Sequence, residues 1–219
     1  MSLPLGAIAP DFIAESTEGP IRFHDWIDGH WCVLFSHPKD FTPVCTTELG
    51  VVARAMPEFE RRGVKVIGLS VDPIESHRQW TADIEETQAV RLSYPLIADP
   101  HLAVAQLYRM LPATANGAAK LRTAMDNHTA RSLFVIGPDK MIKLVITYPM
   151  STGRNFDEVL RVIDSLQLTA GHKVATPANW QQGDKVIILP SVPEEDARRA
   201  FPKGWEAPRP YMRFVDQPA

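Results

Sequence analysis

The chain has 219 residues, 45% hydrophobic and 22% charged, with a net charge of −3. That is long enough to bury a real core, as one domain with an appendage or as two small ones. The slight acidity argues against a nucleic-acid footprint, no segment approaches the ~20 apolar residues of a bilayer span, and two cysteines cannot build a disulfide framework.

The start of the chain, MSLPLGAIAPDF, has neither the basic opening nor the apolar stretch of a signal peptide. The expected compartment is the cytoplasm, where both cysteines stay free thiols. Further along, WCVLFSH (31–37) is a short, β-branched-rich apolar run and reads as a buried strand. Residues 45–61 carry Leu49, Val52, Ala53, Met56 and Phe59 at helical spacing, and Pro57 is expected to kink or split that helix. VKVIGLSV (64–71) is a second strand, and IESHRQWTADIEE (74–86) a polar, amphipathic helix. The segment 111–130 is rich in small residues, lacks a long apolar period and reads mostly as loop. RSLFVIG (131–137) and MIKLVITY (141–148) are strands separated by the turn signal GPDK, which predicts a β-hairpin. The clearest helix is 156–168. Phe156, Val159, Leu160, Ile163 and Leu166 share one face, and Asn155 with Glu158 gives a capping-box-like start.

The order β-α-β-α, a variable middle, then β-β-α predicts an α/β fold around a mixed central sheet. Beyond residue 170 the chain turns Pro-rich, with one short strand (185–189) and one short helix (193–201). It looks too small to hold a core alone. Its aromatics, Trp180, Phe201, Trp205, Tyr211 and Phe214, are therefore expected to bury against the main domain or a partner subunit. The expected division is a main domain over 1–170 and a small C-terminal domain over 171–219.

The stretch SHPKDFTPVCTTELG (36–50) singles out Cys45. With Thr42 as N-cap, Pro43 falls at N1, where its missing N–H costs nothing. Cys45 then falls at N3, the position that a capping box gives to Glu or Gln. Unpaired amides and the positive end of the helix dipole favour a thiolate there, the nucleophilic form of cysteine. Thr42 Oγ lies within reach to donate to the sulfur or to orient a bound oxygen. The alternative is a small apolar filler on the buried side of the helix.

The pattern Pro38-x-x-x-Thr42-x-x-Cys45 resembles the active-site motif of the peroxiredoxins, and the longer string resembles their one-cysteine, peroxiredoxin-six-like subfamily. APDF (9–12), IRFHDW (21–26), RSLFVIGPDK (131–140), the stretch 148–169 and KVATPANWQQGD (173–184) are similar to it as well. The resemblance implies a thioredoxin-like domain followed by a small C-terminal dimerisation domain. It implies reduction of hydrogen peroxide and organic hydroperoxides through a cysteine sulfenic acid, without metal or organic cofactor. It makes Cys45 the nucleophile, Thr42 the peroxide ligand, Arg131 the holder of thiolate and transition state, and Pro38 the shield against solvent. Arg131 opens an apolar strand, where a guanidinium is costly unless paired, although the residue by itself equally reads as an exposed strand-end arginine. Glu48 is expected to orient an arginine, Arg154 to be the second arginine, and His37 to line the pocket. A homodimer follows from the resemblance, with further assembly into a ring open, and with the tail across the neighbour's peroxide pocket.

Cys32 lies in the strand run WCVLF, where alternation makes it packed filler, and the family's resolving cysteines sit elsewhere. The expected mechanism is therefore one-cysteine, regenerated by an external thiol. The other histidines (24, 30, 77, 101, 128, 172) show no metal-ligand spacing, so no metal site is expected. Some members of the subfamily carry a GDSWG-like segment linked with phospholipase A2 activity. Here it reads DGHWC (28–32), without the serine, so the matching His24 and Asp139 have nothing to activate. An oligomeric chaperone or redox-signalling protein with little turnover is the alternative of another class. A disulfide reductase would need C-x-x-C, which Cys45 lacks.

Overall fold

The computed structural model describes residues 3–113 and 128–218, so most of the loop expected over 111–130 lies outside the described residues. The chain divides into two compact units that part between Phe156 and Asp157.

The first unit is built on a seven-stranded sheet of order β2-β1-β5-β4-β3-β6-β7. In chain order its elements are β1 (Ile13–Ser16), β2 (Gly19–Arg22), α1 (Phe23–Ile27), β3 (Trp31–Ser36) and α2 (Pro43–Arg61). Then come β4 (Val64–Ser70), α3 (Ile74–Gln88), β5 (Leu96–Ala98), α4 (Ala103–Leu107), β6 (Arg131–Ile136) and β7 (Ile142–Tyr148). The three central strands β3, β4 and β5 run parallel, linked by α2 and α3, as parallel pairing requires a crossover. β3 and β4 are buried almost throughout, which is why they read as continuous apolar runs rather than alternating ones. β6 and β7 add an antiparallel hairpin beside β3, in register from Arg131 opposite Tyr148 to Val135 opposite Leu144, with a register shift before Ile136 meets Ile142. The GPDK turn closes it, with Lys140 N donating to Gly137 O at 2.8 Å.

The short β1–β2 hairpin, β5 and α4 were not foreseen. They are three to five residues long, too short for a period to show. Pro57 does not split α2, which runs as one 19-residue helix. Leu49, Val52, Ala53, Met56 and Phe59 are all buried along it, and burial of that face outweighs the one hydrogen bond proline removes.

The second unit opens with α5 (Phe156–Gly171), which starts on the last residue of the first. It continues with β8 (Val174–Ala175), β9 (Val186–Ile188), α6 (Glu194–Ala200), β10 (Glu206–Arg209) and β11 (Met212–Val215). The four strands form an antiparallel sheet of order β10-β11-β9-β8. This corrects the reading of one strand without a core. Val174, Trp180, Val186, Ile188, Val192, Ala197 and Val215 form a buried cluster, with Phe201 and Trp205 packed against it. Strands of two to four residues broken by Pro and Gly carry no legible alternation. Of the tail's aromatics, Tyr211 stays 67% exposed.

Gly68 in β4 tests the packing of the sheet. A Cβ there would lie 2.6 Å from Leu96 Cδ2 and 3.3 Å from Phe35 Cζ, both on fully buried side chains. Gly68→Ala should cost about 1–3 kcal/mol by overpacking. Urea unfolding with an unchanged midpoint would contradict this.

Candidate active site

The site grows from the C-terminal end of β3. Six residues, 37–42, separate that strand from α2. Phe41 has φ 53°, a left-handed conformation that an aromatic residue adopts only under constraint. Thr42 follows in extended conformation at the N-cap position, and Pro43 opens the helix. The Thr42 hydroxyl does not cap it. Oγ1 donates instead to Lys39 O at 2.9 Å. The Thr42 carbonyl accepts from both the amide and the hydroxyl of Thr46. Cys45 sits in this first turn, fully buried, at a helix start that no side chain caps.

Glu48 is one turn further on, on the same face as Cys45. Its carboxylate is buried and gripped by two arginines. Arg131 Nη1 donates to Glu48 Oε2 at 2.7 Å and to Cys45 Sγ at 3.4 Å. Nε and Nη2 of the same guanidinium hold the Met150 carbonyl at 2.9 and 2.7 Å. Arg154 gives its backbone amide and Nε to Glu48 Oε1, and Nη2 to Oε2, at 2.8 to 2.9 Å. Its Nη1 donates to Ser132 O, and its guanidinium lies 5.1 and 5.5 Å from the ring centres of Phe35 and Phe156. Burial pushes the Glu48 carboxyl up, but the Arg154 hydrogen bonds and the charges of both arginines outweigh it and hold it below its ordinary value. Two buried guanidiniums against one carboxylate leave a surplus positive charge, with Arg131 Nη1 beside Cys45 Sγ.

The structure thus brings Cys45, Glu48, Arg131 and Arg154 into one cluster, with Thr42 at its edge. Pro38 is buried. His37 is also buried, and its Nε2 is engaged by Asp40 Oδ1 at 2.9 Å, in a second cluster with His77. Ligand atoms of His37, Asp40 and His77 lie within 4.8 Å of one another. Sequence spacing missed this convergence, because the residues come from a loop and from a helix after the next strand. The carbonyls of Met150 and Ser132 were missed as well, since backbone acceptors leave no residue-type signal. Cys32 is buried in β3, and burial pushes its thiol far up. Both cysteines are free. His24 and Asp139 sit in unrelated local contacts, with Ala9 O and with Lys143.

Comparisons with known proteins place the chain in a family. Residues 5–145 match the AhpC/TSA family, and residues 165–204 match the C-terminal domain of 1-Cys peroxiredoxin. The chain is 50% identical to Peroxiredoxin-6 of Homo sapiens over 225 residues, covering 99% of this chain and 98% of that protein. It is 47% identical to a 1-Cys peroxiredoxin of Dictyostelium discoideum, covering 99% of this chain and 86% of that one. Among solved structures, the C45S mutant of the Peroxiredoxin 6 of Arenicola marina superimposes with a TM-score of 0.89 at 45% identity, over 99% of both chains. A yeast mitochondrial 1-Cys peroxiredoxin gives 0.88 at 46% identity, over 98% of this chain and 99% of that one. The chain therefore belongs to the AhpC/TSA family, in its one-cysteine peroxiredoxin branch. It is a thiol-dependent peroxidase on the expected thioredoxin-like fold.

Because the folded Glu48 carboxyl is lowered, its stabilisation is complete above the unfolded value of about 4.3 and is lost as pH falls through the folded value. Glu48→Gln should cost about 3–5 kcal/mol at pH 7, by leaving two buried arginines uncompensated. The gap between wild type and variant should narrow below about pH 4. Denaturant titrations showing a constant gap down to pH 2 would refute the assignment.

Proposed function

We propose that Cys45 is the peroxidatic nucleophile, acting on hydrogen peroxide and organic hydroperoxides. The observation that carries this is the Arg131 N–H aimed at Cys45 Sγ from a buried cluster with a surplus positive charge. The thiolate attacks the terminal peroxide oxygen and the O–O bond breaks. Sulfur gives up two electrons and becomes a sulfenic acid, and the departing oxyanion takes a proton to leave as water or an alcohol. Low thiol basicity alone cannot supply the rate, because nucleophilicity falls with it, so fixed donors must meet the charge on the leaving oxygen. Arg131 is the donor for both thiolate and leaving oxygen. Glu48 and the Met150 carbonyl fix its fork, and Arg154 fixes Glu48. The Thr42 hydroxyl already donates to Lys39 O, so it receives the peroxide through its lone pairs, as acceptor of the O–H. Pro38 shields the sulfur and adds no N–H to it.

Regeneration falls to an external thiol, because Cys32 lies in another element with its thiol pushed up by burial. The yeast relative is described as resolving its thiol via glutathione/thioredoxin systems, which supports the same two kinds of reductant here. Such a cycle suits the reducing cytoplasm. The working unit is a two-fold homodimer. β7 is an outer strand of seven residues with Leu144, Val145 and Ile146 along it; Gly6 and Ala7 bond to Ile142 at its start, and beyond that no strand among the described residues pairs with its outer edge. Residues 171–219 serve as its dimerisation domain, lying over the neighbour's pocket, and dimers open the way to a ring.

Cys45→Ser should abolish peroxide reduction and Cys32→Ser should largely spare it; equal loss in a stopped-flow peroxide assay would sink the one-cysteine mechanism. Arg131→Lys lacks the planar fork, and it should lose at least about tenfold in the second-order rate constant, roughly 1.4 kcal/mol. A fully active lysine variant would remove Arg131 from the transition state. Light scattering should give twice the mass of one chain, and a monomer at working concentration would overturn the dimer.

A further inference from the structure

Asp40, five residues before Cys45, is the hub of a buried network that the mechanism above leaves unused. Its Oδ1 faces His37 Nε2 at 2.9 Å and its Oδ2 faces His77 Nδ1 at 2.6 Å. Its backbone amide donates to Asp72 Oδ2 at 2.9 Å, an oxygen that also accepts from Ser70 Oγ. The other ring nitrogen of His77, Nε2, faces the Ile97 carbonyl at 3.0 Å. A carbonyl can only accept, and so can an ionised carboxylate. A neutral imidazole has one N–H and cannot satisfy both. One further proton must lie in the 2.6 Å contact between Asp40 Oδ2 and His77 Nδ1, and an ionised Asp40 leaves it on the ring. The carboxyl of Asp40 is held far down: burial pushes it up, but the hydrogen bonds from His37 and His77 prevail. His37 donates its Nε2–H to Asp40, and its buried Nδ1 has no partner among the described residues, so this ring is the neutral tautomer with a bare Nδ1 lone pair. Burial favours that form, against the pull of Asp40.

We infer that His77 is a positioning residue for the peroxide site: doubly protonated on α3, it pairs with Asp40 and thereby locks the 37–42 loop and the tautomer of His37. The loop needs such a lock. It carries Pro38 and Thr42, and between Asp40 and Thr42 lies Phe41 at φ 53°, a strain that persists only if both sides are held. Asp40 is pinned through its side chain to α3 and through its amide to Asp72, just after β4. Thr42 is in turn pinned to Lys39 O. Releasing Asp40 lets Phe41 relax and Thr42 shift, and an error of about 1 Å in a positioning group can cost as much as 100-fold in rate. His37, Asp40 and His77 are the residue types of a metal site. Here, however, the ring nitrogens that face one another across Asp40 each carry a proton that its carboxylate accepts.

The inference rests on Cys45 and Thr42 forming the peroxide site. Nitrogen-15 NMR of the histidine rings in the full-length protein at pH 7 tests its first half without any assay, with His77 assigned by its loss in His77→Asn. Two protonated nitrogens on His77 and one on His37 are expected, and a bare nitrogen on His77 would overturn the inference. The second half is kinetic. His77→Phe removes both hydrogen bonds, whereas His77→Asn keeps an N–H for Asp40 without the charge. The peroxide rate constant should fall at least about tenfold in His77→Phe and recover in part in His77→Asn. Alkylation of Cys45 by iodoacetamide, which needs the thiolate but not Thr42, should change less than about twofold. Equal losses in both reactions would reduce His77 to a structural role, and an unchanged peroxide rate would remove it from the site. The nucleophile reading fails separately, in the Cys45→Ser assay, while the NMR pattern reports on His77 alone.

Discussion

The Glu48 carboxylate, buried between two arginines, is the interaction on which the rest of the site depends. Taking three ions out of water is expensive, and the cost is met only because their donors and acceptors are nearly all used. The hydrogen bonds fix the fork of Arg131 to within the play of a few ångström-scale contacts. The cluster is also unbalanced by design of its composition: two cations and one anion leave room for one more negative charge. Cys45 lies beside Arg131, in the first turn of a helix that the Thr42 side chain does not cap.

The fold brings these groups together from four places. Cys45 and Glu48 come from the first two turns of α2, Arg131 from the start of β6, Arg154 from the residues before α5, and the Met150 carbonyl from the turn after β7. β3 and β6 pair antiparallel, so the end of β3 and the start of β6 lie at the same end of the sheet. That pairing carries Arg131 to the loop that leads into α2. The parallel pairing of β3, β4 and β5 places the loops that follow them at this end too. It lets α3 and Asp72 reach the 37–42 loop from the other side. Two buried polar networks therefore flank the start of α2. One acts on the sulfur through Arg131, the other on Asp40 through His77.

These networks differ in how much of them could be read from the residues. Thr42-Pro43-x-Cys45 is a local pattern, and its chemistry follows from helix-end physics within four residues. Arg131 opens an apolar strand, which on residue type alone fits an exposed strand end better than a buried pair, and Glu48 lies at helical spacing from Cys45. Arg154 and Pro38 rested on the family resemblance alone. His77 was passed over, because its partner lies 37 residues away and neither residue looks unusual in its own neighbourhood. The tail was misjudged for a related reason. Its strands of two to four residues become legible only once paired, and its own core includes Trp180 and two strands that show no alternation.

By itself the sequence determined the class of fold and the one-cysteine branch, and it singled out Cys45 as the candidate nucleophile. Those are written in local periodicity, in the helix start at Thr42 and in the type of each residue. Only the tertiary structure decided the Thr42 hydroxyl's partner, the carbonyls that grip Arg131, and the meeting of His37, Asp40 and His77. These depend on strand register and on backbone acceptors. Every residue carries the same carbonyl, so its use as a ligand cannot be read from residue type. Buried ion pairs likewise form between positions that only the pairing of the sheet makes neighbours.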